Sequence, residues 1–203
     1  MIPSSRYLNA SLIWIFLCLS VTSCAVWRAP VLEERRTKEW AWLQTIDAWQ
    51  MEGRIGVSGG REHWHGHLLW KHNPTLDYML VSGPLGQGGI AVWLTKGLVK
   101  IDRGKGDVRV SNQPGAFLKE LFGVELPLQS MHFWVLGRPV PEVAHNAEYR
   151  PDGRLHQLHQ GAWSVLYKRY VKVGEGSLPE KIIITGPGGI RLKLIVHDWQ
   201  VNV

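Results

Sequence analysis

From Met51 onward, apolar residues recur at every second position through one segment after another. Trp64, Gly66, Leu68 and Trp70 alternate with His63, His65, His67 and Leu69. Leu76, Tyr78 and Leu80 alternate with Asp77, Met79 and Val81, and Ile90, Val92 and Leu94 alternate with Ala91 and Trp93. A period of two sends successive side chains to opposite faces, so these runs are strands and not helices. Short turns such as Ser58-Gly59-Gly60, His72-Asn73-Pro74 and Arg103-Gly104-Lys105-Gly106 make the succession antiparallel. Segments 99–102 and 108–110 continue the meander. Segments 154–159, 163–171, 181–185 and 190–199 resume it, with Gly186-Pro187-Gly188-Gly189 as the hairpin turn between the last two.

Helical spacing appears at three places. Trp42, Ile46 and Trp49 fall at i, i+4 and i+7, with Leu43 beside them and Glu33, Glu34, Arg35, Arg36 and Lys38 as a solvated start. Pro114 opens a segment in which Phe117, Leu118, Leu121 and Phe122 share a face, and Gly123 stops it. A third helix is expected over 129–136, where Leu128, Met131 and Val135 form a stripe ending at Gly137. About ten strands and three amphipathic helices describe a mostly β, α+β domain. A sheet of that width curls, giving a barrel-like cup with a helical cover.

The chain begins differently. An apolar run over 12–19 ends in Val21-Thr22-Ser23-Cys24, which has the form of a bacterial lipobox. The run is too short to span a bilayer, which takes about 20 apolar residues, and suits a signal peptide. Residues 1–23 are therefore expected to be removed, 24–30 to form a lipidated tether and 31–203 to be the domain. Cys24 would carry a diacylglycerol and an N-linked acyl chain, enough for stable anchoring where one chain is marginal. The alternative is an ordinary cleaved secretory signal with an incidental Cys24. Ala25, in place of an Asp, is compatible with sorting to the outer membrane. Of the two cysteines, Cys18 leaves with the leader and Cys24 is acylated, so no disulfide is available and the core alone must hold the fold.

Loss of Arg6 with the leader lowers the formal net charge from +6 to +5. That excess favours anionic headgroups, lipopolysaccharide or an acidic protein, and export disfavours nucleic acid. The 11 tryptophans, all but Trp14 outside the leader, serve either as anchors of a β core or as the wall of a cavity or membrane-facing rim. In the loop Ser82-Gly83-Pro84-Leu85-Gly86-Gln87-Gly88-Gly89, Leu85 is the one large apolar side chain. It either folds back on the core or forms a finger that enters lipid, where a buried leucine gains roughly 1.5–3 kcal/mol.

Enzymatic and metal chemistry find little support. No Gly-x-Ser-x-Gly elbow occurs, and Ser, His and Asp are too scattered to nominate a catalytic triad. The glycines at 83–89 lead into a strand and so form no phosphate cradle. His63, His65 and His67 share a strand face, but no fourth ligand is placed by sequence, and solvent-facing alternation is the commoner cause. No enzyme, no metal and no cofactor beyond the acyl groups on Cys24 are expected.

Several fragments carry a resemblance in order along the chain. They are Gly53-Arg54-Ile55-Gly56-Val57, Trp64-x-Gly-x-Leu-x-Trp70, Gly83-Pro84-Leu85-Gly86, Trp134-Val-Leu-Gly-Arg-Pro139, Asp152-Gly153-Arg154-Leu155, Gly161-x-Trp163-x-Val-x-Tyr167, Leu178-Pro179 and Leu192-Lys-Leu-x-Val-x-x-Trp199. Together they resemble the LolB family within the LolA/LolB-like proteins. The resemblance implies an unclosed antiparallel barrel of about ten or eleven strands under a lid of about three helices, enclosing a hydrophobic cavity. It implies a lipid-anchored monomer at the outer membrane, facing the periplasm, that takes lipoprotein clients from the periplasmic carrier LolA and inserts them into outer-membrane phospholipid. Leu85, with Pro84 and Gly86, matches the family's membrane-insertion loop. The acyl-chain wall is then expected from Trp64, Leu68, Trp70, Tyr78, Leu80 and Val92, with Phe117, Leu121 and Trp134 opposite. Arg54, Arg61 and Arg138 are candidates for an acidic carrier surface or headgroups. The other reading is a lipid-binding structural or assembly subunit that transfers nothing.

Overall fold

A computed structural model of the chain describes residues 28–59, 62–83, 86, 88–122 and 126–202. The lipobox, with Cys24, lies outside them. The order of elements is α1 (Arg28–Gln44), β1 (Trp49–Gly59), β2 (Glu62–Asn73), β3 (Leu76–Ser82), β4 (Gly89–Leu94), β5 (Val99–Asp102), β6 (Val108–Ser111), α2 (Pro114–Phe122), α3 (Leu128–Trp134), β7 (His145–Tyr149), β8 (Leu155–Gln160), β9 (Trp163–Val173), β10 (Gly176–Thr185) and β11 (Arg191–Val201). All eleven strands join one antiparallel sheet in the order β6-β5-β4-β3-β2-β1-β11-β10-β9-β8-β7. The outer strands β6 and β7 do not pair, so the barrel stays open. The three helices and the unclosed sheet match the expected architecture.

Register explains which residues are covered. Ile101, Val92, Met79, Trp70, Met51 and Trp199 stand opposite one another in turn across six strands. Ile55, Leu194, Ile182 and Tyr167 form a parallel row across β1, β11, β10 and β9. Every member of both rows is buried. Cross-strand neighbours on one face lie close enough to pack as pairs, so these rows form the spine of the core.

The first helix ends sooner than its pattern indicates. The Thr45 amide and hydroxyl both donate to the Trp42 carbonyl, at 3.0 and 2.8 Å, and close the helix there. Ile46 then lies in a turn, and Trp49 opens β1. The coincidence of spacing arises because both residues enter the same core from different elements. The helix also begins at Arg28, inside the stretch expected as tether. Strand β7, with the sequence His145-Asn-Ala-Glu-Tyr149, escapes the alternation rule because an edge strand has little apolar face to show. The third helix is Leu128–Trp134.

α1 docks on β10 by close approach. A Cβ added at Gly176 would stand 2.0 Å from the Trp42 ring, and one at Gly153 would stand 2.9 Å from the Arg36 amide nitrogen. The Ser177 amide, beyond the stretch of β10 paired with β11, donates to Glu39 Oε1 at 2.9 Å. A side chain at 176 must push Trp42 off the sheet. Gly176→Val is therefore expected to lower stability by about 1–3 kcal/mol, the usual cost of overpacking. Gly97→Ala, whose added carbon meets nothing within 4 Å, serves as the near-neutral control; urea midpoints of the two variants make the comparison.

Candidate functional site

The covered face of the sheet and the helical segment over it bring together six of the sequence-predicted site residues, Trp64, Leu68, Trp70, Val92, Phe117 and Trp134. That segment is fixed to the second half of the sheet by polar contacts inside an apolar core. Gln160 is 4% exposed, yet its side chain makes four hydrogen bonds. Its Oε1 accepts from Trp134 Nε1 and from the Val140 amide, both at 2.9 Å. Its Nε2 donates to the carbonyls of Val140 and Val143, at 3.0 and 3.1 Å. Tyr167, fully buried, donates its hydroxyl to the Trp134 carbonyl at 3.0 Å, and burial raises its pKa well above the ordinary phenol value. Gly137 ends α3 with φ at +80°, a conformation that glycine adopts without strain. Arg138 then sends its guanidinium to the Leu43 carbonyl at 2.8 Å, tying α3 to the end of α1.

On the first half of the sheet the contact is made by imidazoles. His72 and Asp77 are register partners on β2 and β3. Asp77 Oδ1 accepts from Trp70 Nε1 at 2.8 Å and lies 2.8 Å from His72 Nδ1. His132 of α3 stacks on His72, centroids 4.6 Å apart and planes at 20°, with its Nδ1 4.0 Å from Asp77 Oδ2. Trp49 covers the other side of His72 at 5.3 Å. The His132 pKa is lowered to about 4, first by burial and then by the His72 and Arg138 charges, with Asp77 opposing.

The expected cavity residues divide. Leu68, Trp70, Val92 and Trp134 lie on the covered side and are buried, with Trp64 and Phe117 half-buried against them. Trp70 and Trp134 are 1% exposed, with each indole N–H bound by a side chain, so they act as core anchors. Tyr78 and Leu80 are corrections. Met79, between them, takes the covered position opposite Trp70, which sends both to the outer face. There Tyr78 packs on Trp93 at 5.2 Å, and Lys100 Nζ sits 4.6 Å over the Trp93 ring. The Leu121 side chain, Pro84, Leu85 and Arg61 lie outside the described residues. Gly86 has φ at +71°, and its amide donates to the Gly83 carbonyl at 2.9 Å. Arg54 is exposed on the outer face, whereas Arg138 is the internal strap just described. His63, His65 and His67 are exposed on the outer face. Sequence reasoning passed over Gln160, Tyr167 and the His72–Asp77–His132 group. The one available signal was a lone Asp in an otherwise apolar strand.

A family model described as "Outer membrane lipoprotein LolB" matches residues 47–199. The chain belongs to the LolB family. An outer-membrane lipoprotein LolB of Pseudomonas aeruginosa is 31% identical over 159 residues, 78% of this chain and 77% of that one. Another, from Chromohalobacter salexigens, is 28% identical over 159 residues, 78% of this chain and 73% of that one. Among solved structures, a LolA superfamily protein from Nitrosomonas europaea gives a TM-score of 0.51 at 8% identity, over 85% of this chain and 94% of that one. A DUF1329 family protein from Desulfovibrio piger also gives 0.51 at 9% identity, over 86% and 93%. These two show the fold alone. Several fragments of LolB resemblance coincide with fasteners described above: Trp134, Gly137 and Arg138 in one, Gly153 under α1 in another, Tyr167 in a third.

The lowered His132 pKa sets a sign for stability against pH. Between about pH 6.5 and 4 the unfolded chain binds a proton at this residue that the folded chain refuses. The contribution is complete above the unfolded value and is lost as pH falls toward 4, at no more than about 1.4 kcal/mol per pH unit. In EDTA-containing buffer, urea midpoints of wild type and His132→Gln should converge as pH is lowered from 7.5 to 4.5. A gap that stays constant across that range contradicts the assignment.

Proposed function

We propose that this LolB family member is a lipid-anchored acceptor that takes lipoproteins from the periplasmic carrier LolA and inserts them into the outer membrane. The observation that carries the reading is the family match over 47–199, on an unclosed sheet covered on one face by helices. Lipoprotein localisation at the outer membrane is the family's setting. The transfer step, the anchor on Cys24 and the orientation toward the periplasm are this proposal's own. No covalent chemistry is required, and the chain is read as a non-enzyme. Acyl chains move from one apolar surface to the next, and direction follows if each acceptor binds them more favourably than its donor.

The covered face restricts where acyl chains can lodge. α3 is held by Gln160, Tyr167 and Arg138, and each such bond contributes about 1 kcal/mol net while costing more if left unmade. In α2, Phe117 is half-buried against the core, and Gly115 and Ala116 before it are exposed. Opening is assigned to the part of the covered face that carries Trp64, Val81 and Ile90, all half-buried. The Leu85 loop joins β3 and β4 at the end of that same part and serves delivery into lipid.

A transfer assay tests the reading. Wild type should remove a radiolabelled lipoprotein from its carrier and pass it to liposomes. Leu85→Glu should fold and accept the lipoprotein but deliver less than about a tenth as much, because a carboxylate resists burial in lipid. Normal delivery by Leu85→Glu removes the finger from the mechanism. Failure of wild type to accept from the carrier leaves the non-transferring, lipid-binding subunit as the better reading.

A further inference from the structure

The group that joins α3 to β2 and β3 combines features that core packing does not explain. His72, Asp77 and His132 each place one ligand atom within 4.8 Å of the others, and they are the only such group of three or more among the described residues. Three features mark a ligand set. First, the donors are two imidazole nitrogens and one carboxylate, a mixture suited to zinc and its neighbours and unlike the all-oxygen shells of calcium or magnesium. Second, His132 Nδ1 is buried and has no hydrogen-bond partner among the described residues, although buried polar atoms nearly always have one. Third, the Asp77 carboxylate is held by the Trp70 indole N–H, which donates to Oδ1 at 2.8 Å. An outer-shell donor of that kind orients a ligand.

We propose that His72, Asp77 and His132 bind one divalent transition-metal ion, with zinc the ion that the donor set fits best, and that the ion fastens α3 to the β2–β3 hairpin. Tetrahedral ligand atoms around zinc stand about 3.3 Å apart. The separations here, 2.8 Å from Asp77 Oδ1 to His72 Nδ1 and 4.0 Å from Asp77 Oδ2 to His132 Nδ1, lie on either side of that value. Side-chain rotation is enough to close the set, because the three residues come from elements already packed together. On binding at His72 Nδ1, the ion takes the place of the proton shared with Asp77 Oδ1, and the neutral imidazole carries that proton on Nε2 instead. His132, neutral at neutral pH, needs to lose none. The site is separate from the exposed outer-face histidines 63, 65 and 67.

The test uses the full mature protein in detergent, stripped with EDTA, dialysed and titrated with zinc chloride by calorimetry. The expected result is one ion per chain, a rise in melting temperature on zinc addition, and d–d absorption characteristic of tetrahedral coordination when cobalt replaces zinc. His132→Gln, which keeps the side-chain bulk, should weaken binding at least tenfold and lose the thermal shift. His72→Gln should do the same and serves if the first variant folds poorly. The triple variant His63→Ala, His65→Ala, His67→Ala should bind as wild type does. The proposal is overturned if wild type shows no saturable binding, if a folded His132→Gln or His72→Gln binds equally well, or if the outer-face triple variant is the one that loses the ion.

Discussion

The Gln160 side chain is the contact on which the arrangement of this molecule depends. A sheet of eleven strands that does not close must cover one face with something else, and here that cover includes α3 and the irregular segment up to Val143. Irregular backbone brings carbonyls and amides into an apolar interior, where each unmatched group costs about 1–3 kcal/mol. Gln160 is one of the few side chains with both donors and an acceptor to offer, and it spends all of them on that segment: one indole, one amide and two carbonyls. Tyr167 adds the Trp134 carbonyl. Without these partners the segment would have no reason to lie on the sheet in one register.

The strands were legible because their signal is purely local. Alternation over 64–70, 76–81 and 90–94 needs no knowledge of the partner, and the turns between them name themselves by glycine, asparagine and proline. What alternation leaves open is the face. On β3 both sets are apolar, Tyr78 and Leu80 on one side and Met79 and Val81 on the other, and the only polar residue among them, Asp77, favours the wrong answer. The register with β2 decides it, because Trp70 meets Met79 and the indole N–H needs the Asp77 carboxylate beside it. A buried acid on the covered face inverted the reading. Trp49 shows the same limit: spacing cannot tell whether two residues reach one core from a single helix or from a helix and a strand.

The site was legible in its composition and less so in its roles. The tryptophan excess offered two explanations, core anchor or cavity wall, and Trp49, Trp70, Trp134 and Trp199 are nearly inaccessible. Three of these four indoles donate a hydrogen bond, which ties them to fixed positions. Trp64 is half-buried and packs against the same core. The long-range contacts were the hardest to read. His132 and Asp77 are 55 positions apart, and nothing local about a histidine in an amphipathic helix says that it stacks on another from a strand.

These contacts divide the covered face into two unequal halves. Across β8 to β11 the inward side chains Leu158, Val165, Tyr167, Ile182, Ile184 and Leu192 have no exposure, and α1 and the Gln160 network seal them. Across β2 to β4 the same face is buried at Leu68, Trp70, Met79, Val92 and Leu94 but only half-buried toward one end, at Trp64, Val81 and Ile90. Under the proposed function, an incoming acyl chain displaces apolar contacts, and close-packed side chains resist this because any void left behind costs stability in proportion to its volume. The tight half cannot open without breaking satisfied hydrogen bonds as well. The half-buried end of the other half can yield at the cost of a few apolar contacts, which incoming acyl chains would replace in kind. The same asymmetry gives the His72–Asp77–His132 group its position: it pins α3 to β2 and β3, at the boundary between the half that must hold and the half that can move.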